Sequence, residues 1–380
     1  MKATPLILTA FRTPEALADL YLADWDLLLR QARRGGLLSS LHALLAERGL
    51  LDKVPEQPRR HLDWSHAVFE RHALAVQWEV TQIRRALEQT GIPVILLKGA
   101  AYVMSGLPTA RGRIFSDIDI LVPKETVNQV EAALMMQGWA TTHHDAYDQH
   151  YYRTWMHELP PMQHVRRMTV LDVHHAILPE TAAIHPDSAK LIKAATKLTQ
   201  PGDLAVLAPA DMVLHAACHL FHEGELDNGL RDLLDIDSLL RHFGATPSFW
   251  HDLTGRAAEL ELTRPLFYAL RYAARLLQTP LPQATTAGLA GPNAALLALM
   301  DMLYTRALLP DHPSCSDHLS AIARQLLYLR ANWLRMPPVL LARHLFHKAF
   351  LSPDKLRESD FEKMRANEAE GRTISRKFRK

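Results

Sequence analysis

The sequence predicts an α+β protein in which a small mixed-sheet core lies between an N-terminal and a C-terminal helical lobe. Apolar residues recur at helical spacing from Pro14 to Gly91, and helical spacing returns beyond Pro209 and persists to about Leu351. Between these segments the pattern changes to short β-branched and apolar runs bounded by turn-forming residues, which is typical of buried strands. The chain has 380 residues, of which 48% are hydrophobic, enough to bury one large core or two medium ones.

These patterns divide the chain into four segments. They are an N-terminal helical lobe at 1–91, an α/β core at 92–200, a C-terminal helical lobe at 201–351 and a charged tail at 352–380. Within the core, strands are expected at 94–97, 118–122, 139–142, 151–157 and 166–174. A helix is expected at 124–137, ending at Gly138.

The charge balance excludes the broad basic surface that duplex-binding proteins carry. Lys and Arg number 43 against 41 Asp and Glu, so no strong nucleic-acid binding is expected. Cys218 and Cys315 are too few for a disulfide framework or a thiolate zinc site, which favours a reducing, cytoplasmic location. The most apolar late stretch, 289–309, contains Asp301 and Arg306, so no membrane span is expected there.

The segment FSDIDILV (115–122) carries the pattern most closely tied to chemistry. Side chains two apart on a strand share a face, so Asp117 and Asp119 project together while Ile118 and Ile120 face the other way. Two like charges side by side on an apolar strand are unfavourable unless a cation compensates them. Carboxylates at this spacing can share divalent ions about 3.5–4 Å apart, as in two-metal phosphoryl transfer. The pair predicts a metal site; the alternative is a strand end with solvated or helix-capping carboxylates.

A third carboxylate interrupts another β-branched run, TVLDVH (169–174). Asp172 is the candidate to complete the metal site and to help deprotonate an incoming hydroxyl. His174 shares its face and is expected beside the metal ligands. A strand-end Asp with a surface His is the alternative for this motif.

A strand is predicted to run into a helix through a glycine turn at LLKGAAY (96–102). Such a junction exposes backbone N–H groups at the positive end of the helix dipole, which favours a phosphate, and Lys98 adds a positive charge. It is not a Walker A loop, because the spaced glycines and the Lys-Ser/Thr pair are missing. Arg111 and Arg113 are candidates to neutralise the β- and γ-phosphates; the alternative is that they pair with Asp117 or face solvent.

Together these motifs resemble the DNA polymerase beta-like nucleotidyltransferase superfamily, specifically a bacterial branch of uncharacterised nucleotidyltransferases with a Lys-Gly element. The matching elements are Leu97-Lys98-Gly99, Arg113, DIDILV (117–122) and Asp172-Val173-His174. The resemblance implies a metal triad of Asp117, Asp119 and Asp172. It also implies that Lys98 and Gly99 line a triphosphate pocket.

The resemblance extends weakly to the C-terminal helical lobe, through LRDLLDI (230–236). In similar proteins such a helix faces the nucleotide cleft, which makes Arg231 and Asp235 candidate nucleotide-binding residues. The alternative for these two is an i, i+4 ion pair within the helix. The turn also departs from the superfamily, which usually has Gly-Ser or Gly-Gly closer to the aspartates, whereas this chain has Gly99-Ala100.

The resulting hypothesis is transfer of a nucleoside monophosphate from an NTP, such as ATP, to an acceptor, with release of pyrophosphate. Two Mg²⁺ ions are expected as cofactors, with Mn²⁺ as a substitute. A protein side chain, an RNA end and a small molecule all stay open as acceptors. Two other readings are kept: a non-catalytic nucleotide-binding regulatory module, and a glycosyltransferase whose Asp-x-Asp motif binds a nucleotide sugar through Mn²⁺.

A histidine stripe in the C-terminal lobe is interpreted as a chance pattern. His215, His219 and His222, followed by Glu223, fall on one helix face. A zincin-type peptidase requires Glu directly after the first His, and that position is Ala216.

Overall fold

The computed structural model describes residues 4–142, 145–199, 204–222, 224 and 226–337. Over these residues the fold is α+β, with one mixed sheet and helices before and after it in the chain, which confirms the predicted fold class. The described residues up to Arg335 pack as one compact unit. No helix among them combines the length and the apolar character needed to cross a bilayer.

The strands and helices are numbered in chain order. The strands are β1 (Val94–Leu96), β2 (Asp117–Leu121), β3 (Trp139–Thr141), β4 (Met162–His164), β5 (Val170–His174), β6 (Thr196–Lys197) and β7 (Leu204–Val206). The helices are α1 (Leu6–Arg12), α2 (Leu22–Arg34), α3 (Leu38–Glu47), α4 (Glu56–Leu87), α5 (Lys98–Met104), α6 (Val127–Met136), α7 (Ala146–Trp155), α8 (Ser188–Ala194), α9 (Pro209–His222), α10 (Gly229–Phe243), α11 (Pro247–Glu259), α12 (Thr263–Leu277), α13 (Gln283–Ala287), α14 (Ala294–Ala307) and α15 (Ser320–Arg335).

The sheet places β2 at its centre. The strand order is β3-β4-β5-β2-β1-β7-β6, in which β2 pairs in parallel with β5 and β1 pairs in parallel with β7. The other neighbouring pairs are antiparallel. The register of β2 against β5 sets Asp119 opposite Asp172 and Leu121 opposite His174. Polar residues of β5 therefore lie next to the carboxylates of β2.

Apolar side chains alternate with the polar ones along both central strands. Ile118 and Ile120 on β2, and Leu171 and Val173 on β5, are almost completely buried. Alternation along a strand places them on the opposite face from the carboxylates. The long helix α4 packs along α5 and α6, which contact β2 and β3 respectively. Burial of the aliphatic face fixes the register, because a one-residue slip would carry these side chains out of the core.

The helices after the sheet pack around α9, as the returning helical spacing predicted. α9 contacts α10, α11 and α12. The ring centroid of Phe221 on α9 lies 5.1–5.9 Å from the ring centroids of three tyrosines, namely Tyr268 and Tyr272 on α12 and Tyr304 on α14. Such buried aromatic clusters contribute both apolar burial and ring–ring contacts, so they fix the position of α9.

The strand predicted at 151–157 is wrong, because residues up to Trp155 belong to α7. Tyr147, Tyr151 and Trp155 recur every four residues, and their rings lie in sequence with centroids 6.5 Å and 6.0 Å apart. Aromatic residues favour strands by propensity, but spacing of four residues is helical. The strand predicted at 166–174 is confirmed only from Val170 onward, because the preceding residues form the turn from β4, where Met168 has a φ of +61°.

The division into four segments stays a prediction. The last strands of the sheet, β6 and β7, straddle residue 200, so the sheet continues into the region assigned to the C-terminal lobe. The charged tail at 352–380 lies outside the described residues.

Gly112 anchors the loop before β2 to the N-terminal helices. Its φ is +74°, and a Cβ there would lie 2.4 Å from the backbone of Ser39 in α3. Ser40 Oγ donates a hydrogen bond to the Gly112 carbonyl at 3.2 Å. This contact holds the segment that leads into Arg113 and the first carboxylate of β2.

We expect Gly112→Ala to lower the free energy of unfolding by about 3 kcal/mol, because both the left-handed backbone and the α3 backbone oppose a Cβ. Gly106→Ala is the matched control: its φ is +64°, but a Cβ there meets no atom within 4 Å. We expect that control to cost only about 1 kcal/mol. Urea unfolding of both variants measures the difference, and equal costs would contradict the contact with α3 as the constraint.

Candidate active site

Three carboxylates from two neighbouring strands form a cluster. Asp117 and Asp119 come from β2, and Asp172 comes from β5, directly opposite Asp119. One oxygen from each side chain lies within 4.8 Å of an oxygen from each of the others. Asp119 is buried, whereas Asp117 and Asp172 are partly exposed. The structure thus brings together the three residues that the sequence predicted as metal ligands.

Asp119 is ionised and held by two side chains. Lys98 Nζ donates to Asp119 Oδ1 at 3.1 Å, and His174 Nε2 lies 3.0 Å from the same oxygen. Burial opposes the charge, but Lys98 and His174 together hold the pKa of Asp119 well below its usual range. Lys98 has a φ of +44°, a left-handed conformation that is strained for a residue with a Cβ. The strained turn at the start of α5 directs its ammonium group to the carboxylate.

His174 bridges Asp119 and Glu158. Its Nδ1 lies 3.4 Å from Glu158 Oε2, on the opposite side of the ring from Asp119. Burial disfavours the imidazolium, but Glu158 and Asp119 outweigh it and raise the pKa of His174. Sequence reasoning placed His174 beside the ligands but missed Glu158, which follows α7 in a segment with no recognisable motif.

Asp172 has no positively charged partner among the described residues to compensate its ionised form. Its Oδ1 is buried and has no hydrogen-bond partner among the described residues. Burial, followed by the charges of Asp119 and Glu158, raises the pKa of Asp172 to about 8. A buried oxygen without a partner, beside two more carboxylates, fits a divalent cation that prefers hard oxygen ligands. These residues can therefore hold a metal ion.

Gly99 permits close packing behind the Lys98 turn. A Cβ at Gly99 would lie 2.5 Å from Arg113 Nη1 and 2.6 Å from Phe115 Cδ1. The guanidinium of Arg113 sits over the rings of Tyr102 and Phe115 and donates to Asp235 Oδ2 of α10 at 2.6 Å. The Arg113 side of this buried ion pair packs directly against Gly99 and so supports the first turn of α5.

The other candidate cations have partners of their own. Arg231 pairs with Asp232 at 3.1 Å and donates to the Ile114 carbonyl, so the i, i+4 pair with Asp235 is replaced by other contacts. Arg111 pairs with Glu47 at 3.2 Å on the surface, rather than with Asp117. Nucleotide contacts by Arg113, Arg231 and Asp235 stay a prediction.

His215 of α9 lies close enough to Lys98, His174 and Asp119 for their charges to act on it. It is fully buried, and burial, followed by the positive charge of Lys98, lowers its pKa to about 3, so it is neutral. The histidine stripe signalled its position on α9 but not its nearness to the carboxylates. His215, His219 and His222 are in no metal-holding group found among the described residues, and Glu223 lies outside that part of the chain.

Comparison with known proteins identifies the family. No curated protein matches the chain. A family model described as an uncharacterised nucleotidyltransferase matches residues 22–278, a span that includes the three carboxylates, the Lys98 turn and α10. The match covers more than half of the chain, and the protein is therefore a member of this family of uncharacterised nucleotidyltransferases.

Proposed function

We propose that the protein is a Mg²⁺-dependent nucleotidyltransferase of the polymerase beta-like superfamily, which transfers a nucleoside monophosphate from an NTP to an acceptor and releases pyrophosphate. The observation that carries the proposal is the convergence of Asp117, Asp119 and Asp172 within the matched family region. Mn²⁺ is a proposed substitute for Mg²⁺, and the cytoplasm, favoured by the cysteine count, is the proposed location.

The three carboxylates would hold the divalent ions. Bound ions would supply positive charge to the α-phosphate and to the incoming hydroxyl. Asp172 is the residue proposed to take the proton of that hydroxyl, because its carboxylate lies within the cluster that would hold the ions. His174 fixes Asp119 by a hydrogen bond at 3.0 Å, so the ligand oxygen has a defined position.

The Lys98 turn is the proposed triphosphate side of the site. Lys98 Nζ already lies beside Asp119, so its charge is available next to the phosphates. Gly99 lets Arg113 and its partner Asp235 pack directly behind this turn. The pair is proposed to set the position of the turn relative to the nucleotide, and Arg231 is proposed to lie on the same side.

We expect Asp117→Asn and Asp172→Asn each to reduce label transfer from α-labelled NTP by at least about 100-fold, because each removes a metal ligand. The assay combines each NTP with Mg²⁺ and pools of protein, RNA and small-molecule acceptors. Asp119→Asn tests the metal site less directly, because it also leaves Lys98 and His174 without the carboxylate that both of them contact. Asp252→Asn, at an exposed position on α11, is the matched control and should retain full transfer.

Transfer that survives both substitutions would contradict the proposed site. Binding of NTP and Mg²⁺ without transfer to any pool would favour the regulatory module. Binding of nucleotide sugars with Mn²⁺ in preference to NTPs would favour the glycosyltransferase.

In EDTA, we expect Asp172→Asn to raise the free energy of unfolding at pH 8 by about 1–3 kcal/mol. The folded-state pKa of Asp172, about 8, lies above the ordinary value of 3.8. The folded state therefore binds the proton of Asp172 more tightly than the unfolded state does. The stability of the wild type from this group is fully present below pH 4 and is lost as the pH rises toward 8 and the carboxyl ionises. The gain from the substitution should be larger at pH 8 than at pH 5.

Urea unfolding at both pH values measures this gain, with Asp252→Asn as the control. Excess Mg²⁺ should stabilise the wild type more than the Asp172→Asn variant, because the ion binds the folded carboxylates. A variant that is no more stable than the wild type at pH 8 would contradict the charge imbalance at Asp172.

A further inference from the structure

A second group of side chains with metal-binding atoms lies beside the carboxylate triad. His157, Glu158 and His174 each offer one ligand atom, and these atoms lie within 4.8 Å of one another. His157 and His174 are only 5% and 3% exposed, and Glu158 is partly buried. The donor set differs from that of the triad, because imidazole nitrogens take the place of two of the three carboxylate oxygens. The group is therefore a compact and largely buried set of two nitrogen donors and one oxygen donor.

Backbone hydrogen bonds hold the three residues at the end of β5. Glu158 forms an antiparallel bridge with His174, the last residue of β5. The backbone N–H groups of His175 and Ala176 both donate to the His157 carbonyl, at 2.8 Å and 3.2 Å. These contacts join the segment after α7 to the strand end, so the three side chains start from a defined backbone. Ligands supported in this way are preorganised for an ion.

The buried ring of His174 directs one nitrogen toward this group. Its Nε2 lies 3.0 Å from Asp119 Oδ1, whereas its Nδ1 makes no hydrogen bond among the described residues. Nδ1 lies 3.4 Å from Glu158 Oε2, which is longer than the about 2.7–2.9 Å of a charge-assisted hydrogen bond. Two ligands of a tetrahedral Zn²⁺, each about 2.0–2.1 Å from the ion, are about 3.3–3.4 Å apart. The spacing therefore matches two ligands of one ion.

The donor set favours a transition ion over Mg²⁺. Imidazole suits Zn²⁺, whereas Mg²⁺ prefers oxygen ligands in octahedral geometry. Two histidines and one glutamate form an established ligand set for zinc with an open fourth position. A histidine that binds zinc usually donates its other ring N–H to a carboxylate, and Nε2 of His174 already lies beside Asp119. Asp119 thus occupies the position expected of such a carboxylate partner.

A proton on Nδ1 is the competing explanation for the contact between His174 and Glu158. It would make His174 an imidazolium between two carboxylates. Such a proton bridge does not involve His157, whose ring centroid lies 5.2 Å from that of His174. A metal ion uses all three donors, so their convergence favours the ion over the proton.

We infer that His157, Glu158 and His174 bind a Zn²⁺ ion, next to but separate from the Mg²⁺ site of the carboxylate triad. The ion joins the segment after α7 to the end of β5. It also fixes the ring of His174, with Nδ1 on the ion and Nε2–H on Asp119, and thereby the position of one ligand of the triad. The inference goes beyond the proposed function, since zinc binding here does not require nucleotide transfer.

The experiment uses the full-length protein, stripped of metal with a chelator and returned to buffer with excess Mg²⁺. Zn²⁺ binding is measured by calorimetry, and the ligands of the bound ion are identified by X-ray absorption spectroscopy. Excess Mg²⁺ competes for the oxygen ligands of the triad, so that added Zn²⁺ reports on the site that contains nitrogen. We expect about one Zn²⁺ per chain, with imidazole scattering in the spectrum.

We expect His157→Gln and Glu158→Gln each to weaken Zn²⁺ binding at least about 100-fold, because loss of even an outer partner of a ligand costs about 10–100-fold. Asp117→Asn alters only the triad and should bind Zn²⁺ like the wild type. His61→Gln, at an exposed position on α4, is the matched control for loss of a histidine. Thermal unfolding in Mg²⁺ checks that each variant is folded. Added Zn²⁺ should raise the Tm of the wild type but not that of His157→Gln.

The outcomes separate this inference from the proposed function. A wild type that binds no Zn²⁺ in Mg²⁺ would overturn the inference and leave His174 as a proton bridge. Zn²⁺ binding that survives both His157→Gln and Glu158→Gln, or a spectrum with oxygen ligands alone, would also overturn it, and loss of that binding in Asp117→Asn would then place the ion at the triad. Zn²⁺ binding that depends on His157 and Glu158 supports the site whether or not label transfer is observed.

Discussion

The parallel pairing of β2 with β5 is the constraint on which the rest of the site depends. It sets Asp119 directly opposite Asp172 and leaves Asp117 one alternation away on the same face. The buried aliphatic face of the two strands holds that register, because a slip would expose it. Hydrophobic burial on one side of the sheet thus maintains electrostatic repulsion on the other, a cost that a functional site can bear within a stable fold.

Charge compensation in the cluster is uneven. Lys98 and His174 both act on Asp119, while Asp172 has a buried oxygen without a partner among the described residues. Glu158 joins the network through His174, whose ring lies between the carboxylates of Glu158 and Asp119. Positive charge is therefore lacking next to Asp172 on β5, whereas Asp119 on β2 has Lys98 and His174 beside it. That asymmetry is what favours divalent ions between the two strands over a purely structural ion-pair network.

Sequence reasoning located the clustered carboxylates better than it located the surrounding strands, helices and contacts. Alternation along β2 was enough to predict that Asp117 and Asp119 share a face, because strand periodicity is local. Asp172 was a candidate from its own β-branched run, and the triad of all three was implied by the family resemblance. The helix α7 was missed because its aromatic residues favour strands by propensity, while the four-residue spacing of Tyr147, Tyr151 and Trp155 was the stronger signal. β6 and β7 are too short to show a period of their own. No local signal could reveal Glu158 as the partner of His174.

The pair of Arg113 and Asp235 joins residues 122 positions apart and is almost completely buried. A buried guanidinium without its carboxylate destabilises a fold by about 3–5 kcal/mol. Arg113 belongs to the loop before β2 and packs against Gly99, whereas its carboxylate partner belongs to α10. The support beneath the Lys98 turn therefore requires both the sheet region and the helices that follow it, so a change that displaces α10 would also reach the carboxylate cluster.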